Sequence, residues 1–171
     1  LLLMSTLQQL SIIIPFAPED ATWQQLLPDL QNLPDSCEII LVAGSEKSLL
    51  EASSIKMPVK AILIDAAIGR ASQMNAGARI AKNLCLWFLH ADSRIDSQCL
   101  KAIGSFDFSK NALAYFGLRF QNDGPSRMGV NSFGVWFRSR FLRIPFGDQG
   151  FVISKSRFER LGGYREDLSA G

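Results

Sequence analysis

A carboxylate set just beyond an apolar run is the first feature of this sequence able to do chemistry. Residues 84–89 are apolar or nearly so, and His90-Ala91-Asp92-Ser93 follow, which puts Asp92 three residues past the last leucine of the run. Hard cations such as Mg2+ and Mn2+ take oxygen ligands and are often held by one or two carboxylates plus the phosphates of a substrate. Asp92 is therefore a candidate metal ligand, with His90, the single histidine of the chain, as a candidate second. A turn aspartate and a structural histidine are the alternative readings of each residue alone. A second group is Gly69-Arg70-Ala71-Ser72-Gln73-Met74-Asn75-Ala76-Gly77. It places an arginine at the mouth of a helix, where free backbone N–H groups and the helix dipole favour an anion. Arg70 can fork onto a phosphate. Asn75, one turn on, is unfavourable in a helix interior unless its side chain has something to bind. A third group, Gly147-Asp148-Gln149, precedes a short apolar run, and Asp148 can orient hydroxyl groups through charge-assisted hydrogen bonds. Together, Arg70 and Asp92 describe two strand ends converging on one phosphate-sized site.

The elements that must position these groups alternate in type. Residues 12–14, all isoleucine, read as a buried strand ending at Pro15. Asp20 then caps a helix with Trp23, Leu26, Leu27 and Leu30 on one face, shortened by Pro28. Strands follow at 38–42, 61–64 and 84–89, the last two separated by a helix from about Arg70 that lines up Ala71, Met74, Ala78 and Ala81. A short helix from Ser45 or Glu46 through Leu49 and Leu50 lies between the strands at 38–42 and 61–64. Later come a helix at 96–103, a strand at 112–120, a turn at 121–125, an amphipathic helix at 128–142 and a strand at 151–153. Last is a helix from Ser154 through Leu161 that stops at Gly162-Gly163. Apolar strands alternating with helices predict an α/β fold, a Rossmann-type sandwich with a mostly parallel central sheet and helices on both faces. In such sheets ligands bind outside the carboxyl ends of the strands, where the candidate groups fall. No linker or repeat divides the sequence, so residues 1–171 read as one domain.

Composition narrows the function further. The chain has 171 residues, 47% hydrophobic and 20% charged, which excludes a disordered tail. Its net charge is +2, and basic residues do not interleave with aromatics, which argues against a nucleic-acid partner and for a small anion. No run approaches the length of a membrane span. Leu1-Leu2-Leu3-Met4 carries neither a basic start nor a small-residue cleavage site, so the expected location is cytoplasmic. Cys37, Cys85 and Cys99 read as reduced, packed thiols. There is no GxGxxG after the first strand and no GxxxxGK[ST], which removes dinucleotide and P-loop sites.

The strings GRASQMNAGA from Gly69, FLHADS from Phe88, GDQG from Gly147 and FERLGGY from Phe158 resemble glycosyltransferase family 2, in particular a bacterial subgroup reading GRxxQMNxGA and FLHAD[TS]. The match runs from Ser11 to the end. The resemblance implies a GT-A-like fold, a UDP- or GDP-type sugar donor, a divalent cation (Mg2+ or Mn2+) and inversion at the anomeric carbon. By position, Pro15, Phe16, Ala17 and Glu19 would line the nucleoside pocket, Arg70, Asn75 and Gln149 would hold the donor, and Asp92 would face metal and diphosphate. His90 stands where the usual Asp-x-Asp has its first carboxylate, and Ala43 stands where many relatives have a base-binding aspartate. The resemblance also places the general base beyond Gly171, so the chain is expected to stop short of that motif, with Asp148 as a candidate within it. Glu166-Asp167 aligns better with a pair that precedes the base. The acceptor is open, a lipid-linked one at the inner membrane face included, as are the sugar and the oligomeric state. Two other functions stay in view: a non-catalytic nucleotide-sugar binding protein, and a sugar nucleotidyltransferase, for which Pro15-Phe16-Ala17-Pro18 lacks the expected glycine-rich, lysine-bearing loop.

Overall fold

Runs of β-branched and leucine residues without polar interruption form strands covered on both sides, and here they build one sheet. A computed structural model describes residues 7–31, 33–95, 97–105, 114–115 and 150–167. Among these, the strands are β1 (Leu10–Phe16), β2 (Glu38–Ala43), β3 (Ile62–Asp65), β4 (Cys85–Phe88), β5 (Ala114–Tyr115) and β6 (Phe151–Ser154). Their order across the sheet is β3-β2-β1-β4-β6-β5. The first four are mutually parallel, while β6 runs antiparallel to β4 and β5 antiparallel to β6. The chain steps outward from β1 to β3, then returns to place β4 on the other side of β1. The strand order therefore reverses between β1 and β4, the point where α/β sheets open a crevice at their carboxyl edge.

Alternation along the strands divides the core into two layers. Leu10, Ile12, Ile14 and Phe16 of β1 join Ile39 and Leu41 of β2 and Trp87 of β4 on one face. That face is covered by α1 (Trp23–Leu26), the 3-10 turn Leu27–Leu30, α2 (Glu46–Ser53) and α4 (Ser97–Gly104). Ile13, Ile40, Val42, Leu86, Phe88 and Ile153 face the other way, against α3 (Arg70–Ile80) and Phe158 of α5 (Lys155–Arg160). The mostly parallel sandwich with helices on both faces is the architecture read from the sequence.

Several boundaries differ from expectation for identifiable reasons. β1 does not end at Pro15 but continues through Phe16, with Pro15 in register with Val42. Strand alternation turns the proline nitrogen toward β4, whose pairing with β1 has already ended at Ile13–Phe88, so no ladder hydrogen bond is lost. Asp20 does not cap α1. Its carboxylate instead accepts from the backbone N–H and the hydroxyl of Thr22, at 2.9 and 2.6 Å, in the turn before the helix. Pro28 shortens α1 as anticipated, converting it to the 3-10 turn. Ser45 does cap α2, accepting from the Ser48 N–H at 3.2 Å. Gly162 and Gly163, at φ +81 and +73, end the helical run. The turn at 121–125 and the amphipathic helix at 128–142 lie outside the described residues, as does most of the strand at 112–120. Cys37, Cys85 and Cys99 form no disulfide among the described residues. Among the described residues no helix is long and apolar enough to cross a membrane.

Candidate functional site

The loops after β1, β2 and β3 close on one another at the carboxyl edge. Ala17-Pro18-Glu19-Asp20 forms a turn in which the Asp20 N–H donates to the Ala17 carbonyl at 3.2 Å. Proline at its second position and Glu19 at φ +66 in the third are the pattern of a type II turn, with glutamate where glycine is usual. Ala17, Pro18 and Glu19 are exposed, whereas Pro15 and Phe16 are buried. The Phe16 ring packs on Trp23, with centroids 5.3 Å apart. Of the four residues assigned to a nucleoside pocket, Ala17 and Glu19 therefore present side chains to the edge. Pro15 and Phe16 are buried, and the Phe16 side chain belongs to the core. Ala43 is also fully buried, and the carboxylate exposed beside it is that of Asp65, its register partner on β3.

Gln73 knits this edge together, a role the motif reading left blank. Only 4% exposed, it donates from Nε2 to the carbonyls of Phe16 at 2.8 Å and Val42 at 2.7 Å. Its helix, α3, starts at Gly69, whose φ of +133 suits glycine, so Arg70 emerges exposed one turn ahead of Gln73, above the β1 and β2 ends.

Asn75 has found its partner within the protein. Its Oδ1 accepts from the Tyr164 N–H at 2.9 Å, and its Nδ2 donates to the Tyr164 carbonyl at 3.0 Å and to Glu166 Oε1 at 2.7 Å. A Cβ at Gly163 would lie 2.7 Å from Asn75 Oδ1, so the glycine lets the backbone approach. The amide expected to hold a donor thus docks the Tyr164–Glu166 segment on α3. Hydrogen bonds from Asn75 and Ser72 hold the Glu166 carboxyl below its usual range. Asp167 pairs with Arg165 at 2.6 Å on the surface.

Tyr164 links the two halves of the site. Its ring meets Phe88, the last residue of β4, edge-on at 5.3 Å, and it also touches Phe151 and Phe158. Burial pushes the phenol's pKa up, against the charge of Arg70, which pulls it down. Beyond Phe88 the chain turns through His90 and Asp92, with the Ser93 N–H donating to the His90 carbonyl at 3.1 Å. His90 is half-buried and Asp92 exposed. This turn is fastened from behind: Arg94 forks onto Asp29 with Nε at 2.7 Å and Nη2 at 2.9 Å, and the Ile95 N–H adds a third bond at 3.0 Å. The Arg94 bonds hold the Asp29 carboxyl below its usual range. Because β6 is antiparallel, its start also falls here. Gly150, where a Cβ would lie 3.3 Å from the Phe88 carbonyl, leads into it. Asp148 and Gln149 lie outside the described residues.

The donor set for a cation is small. Among the described residues, no three His, Cys, Asp or Glu side chains gather around a common point. One exposed carboxylate, with an imidazole two residues away, fits a Mg2+- or Mn2+-type ion that takes its remaining ligands from water and a substrate diphosphate.

This architecture recurs in solved structures. The mannosyltransferase PcManGT from Pyrobaculum calidifontis, solved in complex with GDP-Man and Mn2+, superposes with a TM-score of 0.69 at 18% identity, over 95% of this chain and 49% of that one. S. aureus TarS residues 1–349 superpose with a TM-score of 0.61 at 15% identity, over 95% of this chain and 52% of that one. The chain has the GT-A-like fold of these proteins. It spans about half the length of either neighbour. No family model matches the sequence, and no curated protein matches it.

Proposed function

We propose that this chain is the donor-binding part of a glycosyltransferase that takes a sugar from a UDP- or GDP-type nucleotide and passes it to an acceptor hydroxyl with inversion, as family 2 enzymes do. The observation that carries this reading is that the α3 start bearing Arg70 and the turn bearing Asp92 both follow parallel strands, at the carboxyl edge of a sheet whose order reverses between β1 and β4. Support comes from the fold shared with a mannosyltransferase that binds GDP-Man and Mn2+.

In this reading Ala17 and Glu19 border the nucleoside, and Arg70 neutralises the diphosphate as it leaves. The positive end of α3 faces the same charge. Asp92, with His90 beside it, holds the divalent cation. When bound, that ion supplies positive charge to the departing diphosphate. Fixed charges preorganised at a developing anion are worth roughly 10²–10³ in rate each. The family resemblance assigns Asp148 and Gln149 the orienting of hydroxyl groups. The chain acts as one domain, in the cytoplasm, and a lipid-linked acceptor would bring it to the inner face of the membrane.

The test is a thermal-shift panel of UDP- and GDP-sugars with and without Mn2+, followed by donor turnover in the full-length protein. A ligand at a hundred times its Kd stabilises by about 2.7 kcal/mol, a readily measured shift. Arg70→Ala and Asp92→Ala should each lower turnover by about 10²-fold. Wild-type turnover in both would reject the roles. Two departures favour a second reading, a nucleotide-sugar binder without transfer: His90 in place of a carboxylate, and the buried Ala43. Tight binding with no hydrolysis or transfer would select it.

A further inference from the structure

A glutamine in the first turns of a helix ordinarily faces water, yet Gln73 is 4% exposed, so its polar atoms must be satisfied by protein. Both of its bonds go to carbonyls where neighbouring parallel strands end, Phe16 on β1 and Val42 on β2. The Phe16 carbonyl also accepts the Gly44 N–H at 3.2 Å, so one oxygen is held by α3 and by the loop after β2. A Cβ placed on Gly44 would lie 3.3 Å from Pro18 Cδ, 3.4 Å from Ile68 Cγ1 and 3.6 Å from Gln73 Nε2. The loops after all three strands therefore gather around this single amide, directly beneath the exposed Ala17–Glu19 turn.

We propose that Gln73 is a positioning residue for the nucleoside half of the donor. By holding the Phe16 and Val42 carbonyls on one amide, it sets the separation between the Ala17–Glu19 turn and Gly44, so the nucleoside meets a preformed slot. The assignment rests on the nucleotide-sugar reading above. Preorganisation of this kind raises affinity by removing the ordering that binding would otherwise require. Only the nucleoside feels it, because the diphosphate is held further along the edge, by Arg70 and the Asp92 turn.

The experiment is calorimetric titration of the full-length protein and of Gln73→Met and Gln73→Glu with UDP, GDP and inorganic pyrophosphate, well below each variant's unfolding midpoint. Methionine keeps the length without the donors, and glutamate keeps the size but sets a carboxylate against two carbonyls. The expected result is at least a tenfold loss of affinity for whichever nucleoside diphosphate the wild type binds, with pyrophosphate affinity within twofold. A folded variant that binds the nucleoside diphosphate within twofold of wild type overturns the assignment, as does an equal loss for pyrophosphate. Hydrogen exchange on the wild type needs no substitution: nucleoside diphosphate should slow the Gly44 N–H and pyrophosphate should not, and no difference between them overturns the proposal. Wild-type protein that binds neither UDP nor GDP overturns the nucleotide-sugar reading and this assignment with it, whereas normal wild-type binding with an unaffected Gln73→Met overturns this assignment alone.

Discussion

Glu19 holds a backbone conformation that its type rarely adopts, at the third position of the turn following β1. A left-handed non-glycine residue costs about 1–3 kcal/mol and persists where something else requires the side chain. Glu19→Gly should therefore leave stability unchanged or raise it by up to about 1 kcal/mol, since relief of strain is partly offset by a more flexible unfolded chain. The same change should weaken nucleotide binding if the carboxylate borders the nucleoside. Urea denaturation reads the first effect and titration with UDP and GDP the second. A variant that is less stable and binds normally would make this glutamate a structural residue. The cysteines offer no comparable chemistry: burial pushes the thiols of Cys37 and Cys85 up to about 12 and about 11, which keeps them protonated and slow to alkylate while the protein is folded.

Helix α3 is fitted to its neighbours at two glycines, which should respond differently to the same change. At Gly77 a Cβ would lie 2.5 Å from Ile13 Cγ2 in β1, so Gly77→Ala forces the helix off the sheet and should cost about 1–3 kcal/mol. At Gly163 the φ of +73 and the nearby Asn75 Oδ1 act together, and Gly163→Ala should cost a similar amount while also releasing the Tyr164–Glu166 segment from α3. Hydrogen exchange at the Tyr164 N–H separates the two, rising early in the second variant only. The turn carrying Asp92 has its own fastening in the Asp29–Arg94 pair, with the Asp29 side chain 12% exposed. Because folding lowers this carboxyl's pKa below its ordinary 3.8, its contribution is complete above that value and is lost as pH falls through the folded-state pKa. Asp29→Asn should thus be less stable than wild type at neutral pH, and the gap should close in acid. A gap independent of pH would remove the charge from the account.

Across the molecule, the parts written in local pattern were readable in advance. Isoleucine and leucine runs, broken at regular intervals by capping residues and glycines, were enough to place β1 to β4 and the helices between them. The strand-end rule then set Arg70 and Asp92 beyond the ends of β3 and β4, where the structure has them. What could not be read were partnerships between distant positions. Asn75 in isolation looked like a ligand contact because a polar side chain inside a helix needs a partner, and sequence does not show that the partner is the backbone of Tyr164. Gln73 carried a signal of the same kind, a polar residue one helical turn from the apolar Gly77, but its carbonyl partners lie on two other strands. Phe16 and Pro15 gave no sign that their side chains turn inward, because a strand that outlasts its proline becomes visible only once the neighbouring strand has been seen to end sooner.

The reversed direction of β6 has a consequence of its own. Tyr115 and Phe151 are register partners, so two positions distant in sequence are held side by side in the sheet. A pairing between positions so far apart in sequence carries the entropy of closing the chain between them, a cost that grows only slowly with their separation.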